Sequence, residues 1–66
     1  MKLSDVILMA HIQSEALRLE LLLHNEILDA LMIDNTDPAA IEAEGRYVAS
    51  LTNRRKRVDR YLEIVD

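Results

Sequence analysis

The chain has no cysteine, phenylalanine or tryptophan, and among its 66 residues there is one glycine, one proline and two tyrosines. The absence of cysteine excludes a disulfide framework and a thiolate metal site. A β-sandwich or barrel needs turns about every 8–12 residues, and so little glycine and proline cannot supply them. The length allows one small domain, which excludes a complete Rossmann or TIM-barrel enzyme.

The residues that are present indicate a folded helical protein. Half of them are hydrophobic and 30% are charged, which separates the chain from disordered sequences. The single cluster of turn-forming residues lies at 34–38. We therefore predict an all-α fold, an antiparallel two-helix hairpin in one domain over 1–66. Helix 1 covers about 5–33, the turn 34–37 and helix 2 about 38–64.

The predicted helix ends follow from the residues around the turn. Pro38 suits the first position of a helix, and Asp37 before it suits the N-cap. Asn35 can adopt the left-handed conformation that ends a helix. At the start of helix 1 we expect Ser4 to be the N-cap, with Asp5 in the first turn.

Helix 2 has one apolar face, whereas helix 1 has two apolar stripes about 140° apart at 100° per residue. The first stripe consists of Leu3, Ala10, Leu17, Leu21, Leu28 and Leu31. The second consists of Met9, Ile12, Ala16, Leu19, Leu23, Ile27 and Ala30. One partner helix covers only one stripe, and the other would leave a large apolar patch exposed. The sequence therefore predicts self-association through the second stripe, as a homodimeric four-helix bundle with helix 1 at its centre. A different protein is the alternative partner.

Polar residues interrupt these apolar faces and form a candidate polar layer. Its predicted members are Gln13, Glu20 and His24 on helix 1 and Arg54 and Arg55 on helix 2. The antiparallel register places Glu20 near Arg54 and Arg55, and His24 near Tyr47. Such a layer either fixes register and oligomeric state or forms a functional cluster with a pH-sensitive His–Glu pair.

No metal site or cofactor is predicted. The di-iron bundle signature is Glu-x-x-His on two helices, whereas the spacing between Glu20 and His24 is four and occurs once. No combination of serine, histidine and aspartate suggests a nucleophile, and no phosphate-binding loop is present. We therefore expect no enzyme activity.

Charge is divided unevenly along the chain. Residues 1–44 carry nine acids and two bases, and residues 45–66 carry six bases and three acids, so the two helices of a hairpin attract each other. The basic residues that face outward on helix 2 are Arg46, Lys56, Arg57 and Arg60. They form a possible surface for nucleic acid or an acidic partner.

These features favour a protein–protein interaction module, a small adaptor, inhibitor or co-chaperone. RNA or DNA binding through the basic face is the alternative. In shape, the expected hairpin resembles the plasmid copy-number regulators that dimerise into four-helix bundles and bind RNA, and the small co-chaperones of type III secretion needle subunits. Small acidic chains of this kind are common among phage and mobile-element proteins. The sequence contains no signal peptide and no membrane span, so we expect a cytoplasmic protein.

Overall fold

The computed structural model describes residues 1–65, which form two helices and no strand. Helix α1 spans Leu3–Asp34 and helix α2 spans Pro38–Val65. The helices pack against each other in a hairpin that measures 49 × 18 × 14 Å, which confirms the predicted fold class at the level of the single chain. Neither helix of the described region combines the length and the hydrophobicity needed to cross a membrane.

The turn forms as the sequence predicts. Asn35 ends α1 in the left-handed conformation (φ 50°, ψ 36°), and its N–H donates to the carbonyl of Leu31 at 2.8 Å. Oδ1 of Asp37 accepts from the N–H of Ala40 at 3.1 Å, so Asp37 is the N-cap of α2 and Pro38 is its first residue. Two short-range hydrogen bonds thus satisfy backbone groups on both sides of the connection.

The predicted N-cap of α1 is wrong, whereas Asp5 lies in the first turn as predicted. The helix begins at Leu3, and the residue before it, Lys2, has an extended conformation. Ser4 therefore lies inside the first turn rather than at the cap. Oδ2 of Asp5 accepts from the backbone N–H of Lys2 at 3.4 Å, and this backward contact from the third helical position replaces the expected serine cap.

Only three residues are buried in the described hairpin, namely Leu17, Leu51 and Leu62. Leu17 belongs to the first apolar stripe, which faces α2 as predicted. Four other members of that stripe, Ala10, Leu21, Leu28 and Leu31, are half-buried, and Leu3 at the helix start is exposed. Two helices of this length enclose a small core, since most of their surface remains in contact with water.

Gly45 lies inside α2, where glycine lowers helix stability. Apart from Gly45 itself, its chain neighbours and the adjacent backbone of its own helix, no atom of the described chain lies within 4 Å of the position that its Cβ would occupy, and its φ is not positive. Close packing within the hairpin therefore does not require glycine here.

We expect Gly45→Ala to raise the free energy of unfolding by up to about 1 kcal/mol, the difference in helix propensity. Urea denaturation followed by circular dichroism measures this change. A loss of stability would contradict the expectation and would mean that the added methyl group meets an atom outside the hairpin.

Candidate functional site

The second apolar stripe of α1 lies uncovered along the outside of the hairpin. We call its seven residues the α1 face: Met9, Ile12, Ala16, Leu19, Leu23, Ile27 and Ala30. The exposed fraction is 55% for Met9, 61% for Ile12, 53% for Leu19, 54% for Leu23 and 37% for Ile27. Both alanines are exposed as well. The structure thus leaves the predicted association residues in solvent.

The position of the α1 face follows from helix geometry. Its residues recur at intervals of three or four, so they remain on one side of a helix with 3.6 residues per turn. Because α2 covers the other stripe, most of the α1 face points away from α2, and only Met9 lines a groove beside that helix. From Met9 to Ala30 the face runs about 31 Å along the helix axis. This is a continuous line of apolar side chains rather than scattered exposed residues.

A polar cluster links the two helices near the middle of α1. Nδ1 of His24 lies 2.5 Å from Oε1 of Glu44, and the two side chains are 22% and 18% exposed. The His24 ring also contacts Tyr47 edge-to-face, with 4.7 Å between ring centroids. The Tyr47 hydroxyl donates to Oε1 of Glu20 at 3.3 Å. Partial burial of the phenol and the neighbouring Glu20 carboxylate raise the pKa of Tyr47 above its ordinary value.

The structure brings together only part of the predicted polar layer. His24 is half-buried and contacts Tyr47 as expected, but its carboxylate partner is Glu44 on α2 rather than Glu20 on its own helix. Gln13, Glu20 and Arg54 are exposed. In the described chain Glu20 accepts a hydrogen bond from Tyr47. The position that the sequence predicts for Glu20, near Arg54 and Arg55, does not lead to an ion pair with either arginine, and Arg55 lies beside Asp59 instead.

Arg55 instead belongs to a second contact that sequence reasoning missed. Oγ of Ser14 donates to Oδ1 of Asp59 at 2.5 Å, which joins α1 to α2. Nε of Arg55 lies 3.5 Å from Oδ2 of the same carboxylate, too far and too poorly aligned for a hydrogen bond. The antiparallel register was the available signal, because it places residue 14 opposite residue 59.

The His24–Glu44 contact should stabilise the hairpin, and a double-mutant cycle measures how much. We expect His24→Ala and Glu44→Ala to be coupled by about 1 kcal/mol in the free energy of unfolding, since both side chains are partly buried and bond to each other. Ser14 and Asp59 provide a second cycle of the same design. Strict additivity of the two substitutions would contradict a stabilising contact.

The basic face is less uniform than the sequence predicts. Arg46 forms an ion pair with Glu42 on the same helix. Lys56, Arg57 and Arg60 are exposed on the C-terminal half of α2. Nucleic-acid binding by these residues stays a prediction.

An open groove lies between the start of α1 and the end of α2. Its volume is about 360 Å³, and it is lined by Met1, Val6, Met9, Ala10, Gln13, Arg57, Val58 and Tyr61. Met9 belongs both to this groove and to the α1 face. Within residues 1–65, no three histidine, aspartate or glutamate side chains lie close enough together to hold a metal ion.

Comparison with known proteins gives no relative from which a function could be carried over. No protein-family model matches the chain. No curated protein and no solved structure matches it either. The function of this hairpin is therefore inferred from its own geometry and chemistry.

Proposed function

We propose that this chain is a non-enzymatic protein-interaction module that self-associates through the α1 face into a homodimeric four-helix bundle. In this role it acts as a small adaptor, inhibitor or co-chaperone. The observation that carries the proposal is the row of five large apolar side chains on the α1 face, each more than a third exposed. A soluble monomer rarely leaves so long an apolar line in water.

The total exposed surface supports a missing partner of definite size. The chain exposes 5047 Å², whereas a compact folded protein of 7.6 kDa exposes about 4,300 Å². The excess of about 750 Å² is close to the roughly 800 Å² that each partner buries in an interface of standard size. Covering the α1 face would bring the hairpin to the surface area of an ordinary folded protein.

The polar contacts support a structural rather than a catalytic assignment for the side chains beside this face. His24 with Glu44 and Ser14 with Asp59 each join α1 to α2. These pairs hold the two helices in register, so that the apolar residues of the α1 face project together on the opposite side. A rigid helix presented in this way suits association with another helix.

Light scattering after size exclusion, over about a hundredfold range of protein concentration, tests the proposal. We expect a mass near twice the 7.6 kDa of the chain at high concentration, falling toward the monomer on dilution. A folded monomer of 7.6 kDa at every concentration would contradict self-association. RNA or DNA binding is tested separately, by a mobility shift at low salt and its loss on charge reversal of Lys56, Arg57 and Arg60.

A further inference from the structure

We infer that the two α1 helices of the dimer pack antiparallel, about a twofold axis that passes between residues 19 and 20. This inference rests on the proposed function and adds to it the direction and register of the partner helix. The occupant of the α1 face is a second copy of this chain. Three features of α1 lead to this arrangement: the order of its residue sizes, the placement of its charges and the symmetry of its apolar positions.

Six of the seven apolar positions of the α1 face are symmetric about the proposed axis. Reversing the helix around a point between residues 19 and 20 exchanges Met9 with Ala30, Ile12 with Ile27, and Ala16 with Leu23. An antiparallel pair in this register therefore sets every one of these apolar residues opposite another apolar residue. Leu19 is the exception, because the axis exchanges position 19 with position 20, which is Glu20. The two copies of Leu19 lie next to the axis. A surface for an unrelated partner has no need of this symmetry, whereas a homotypic antiparallel interface requires it.

Residue size follows the same symmetry and favours the antiparallel direction. The two alanines of the face, Ala16 and Ala30, fall opposite the large side chains of Leu23 and Met9 from the second copy. Large residues facing small ones fill the space between two helices evenly. In a parallel pair each residue would face its own copy, so Ala16 would meet alanine and Ala30 would meet alanine. Both layers would then contain voids, which close-packed interfaces avoid.

Charge along α1 supports the same direction independently. Residues 1–18 carry two acids and two lysine or arginine residues, whereas residues 19–34 carry four acids and neither lysine nor arginine. A parallel dimer would place the two acidic halves side by side. An antiparallel dimer places the acidic residues 19–34 of each chain against residues 1–18 of its partner, which carry no net charge from lysine, arginine and acids. The positive end of each helix dipole then also lies beside the negative end of the other.

Disulfide trapping tests the direction cleanly, because the chain has no cysteine of its own. Met9→Cys and Ala30→Cys chains are mixed in equal amounts, oxidised mildly with copper–phenanthroline, and separated without reductant. We expect a disulfide-linked species that contains one chain of each kind, since facing positions meet the distance that a disulfide requires. Met9→Cys alone should give no disulfide-linked dimer, because two copies of residue 9 lie about 31 Å apart along an antiparallel pair.

A second pair, Ala16→Cys with Leu23→Cys, repeats the test nearer the axis and covers the case in which one variant folds poorly. The expected result is again the mixed product in excess of either self-linked product. Efficient self-linking of Met9→Cys would overturn the antiparallel arrangement while leaving dimerisation intact. A dimeric mass with neither kind of cross-link would also overturn it. A monomeric mass at all concentrations would overturn the proposed function, and this inference with it.

Discussion

Leu51→Ala is expected to lower the free energy of unfolding by about 3 kcal/mol, within the range of roughly 2–5 kcal/mol that buried leucines lose on truncation. Leu51 is the one residue with no exposed surface in the described chain. It lies on the side of α2 that packs against α1, so its loss opens a cavity between helices that have few other buried contacts. The remaining core residues, Leu17 and Leu62, are too few to close that space.

Urea denaturation followed by circular dichroism measures this effect, with Ile64→Ala as the matched control. Ile64 is on the same helix but 74% exposed, and we expect its truncation to change stability by no more than about 0.5 kcal/mol. Both proteins are compared at one concentration, because a dimer gains stability as concentration rises. Equal losses for the two variants would mean that Leu51 is not at the centre of the core.

The parts of the fold that sequence reasoning predicts correctly depend on local chemistry. Asn35, Asp37 and Pro38 each act through contacts with residues at most four positions away, so their roles can be derived without knowing the tertiary structure. The sequence also predicts that the first apolar stripe faces α2, because a short connection forces the two helices to pair. Leu17 and Leu51 are accordingly buried against each other's helix.

The errors arise where several groups compete for one partner. Ser4 and Asp5 both offer an acceptor at the start of α1, and the backward contact from Asp5 to Lys2 extends the helix by two residues. His24 has Glu20 one turn away on its own helix, yet it bonds to Glu44 on α2. Helical periodicity gives the side of the helix but not the rotation of one helix against the other. A small rotation decides which carboxylate a half-buried imidazole meets.

The basic residues illustrate a further limit. Their spacing places all four on one side of α2, namely Arg46, Lys56, Arg57 and Arg60, and all are exposed. Within residues 1–65, Lys56, Arg57 and Arg60 form no ion pair, whereas Arg46 does. Arg46 differs because Glu42 lies one turn before it. Such a neighbour is visible in the sequence, and an ion pair with it limits the basic surface to the C-terminal half of the helix.

If the chain forms the proposed dimer, Leu23→Glu should convert it into a monomer and raise the dissociation constant by at least about a hundredfold. Leu23 is 54% exposed in the single chain, so a glutamate there remains hydrated in the monomer. In the dimer the same carboxylate would be buried against an apolar helix with no cation beside it, which is strongly unfavourable. Leu19→Glu, at 53% exposure, should act in the same way.

Met32→Glu is the matched control, because Met32 is 57% exposed on the same helix but lies on the side opposite the α1 face. We expect it to retain the dimeric mass in light scattering across the concentrations at which Leu23→Glu is monomeric. The pair separates the position of an exposed apolar residue from its mere hydrophobicity. If both variants dissociate, added negative charge on an acidic helix is the cause; if neither does, the α1 face does not hold the chains together. Dissociation of Leu23→Glu alone would place the contact on the side of α1 that α2 leaves open.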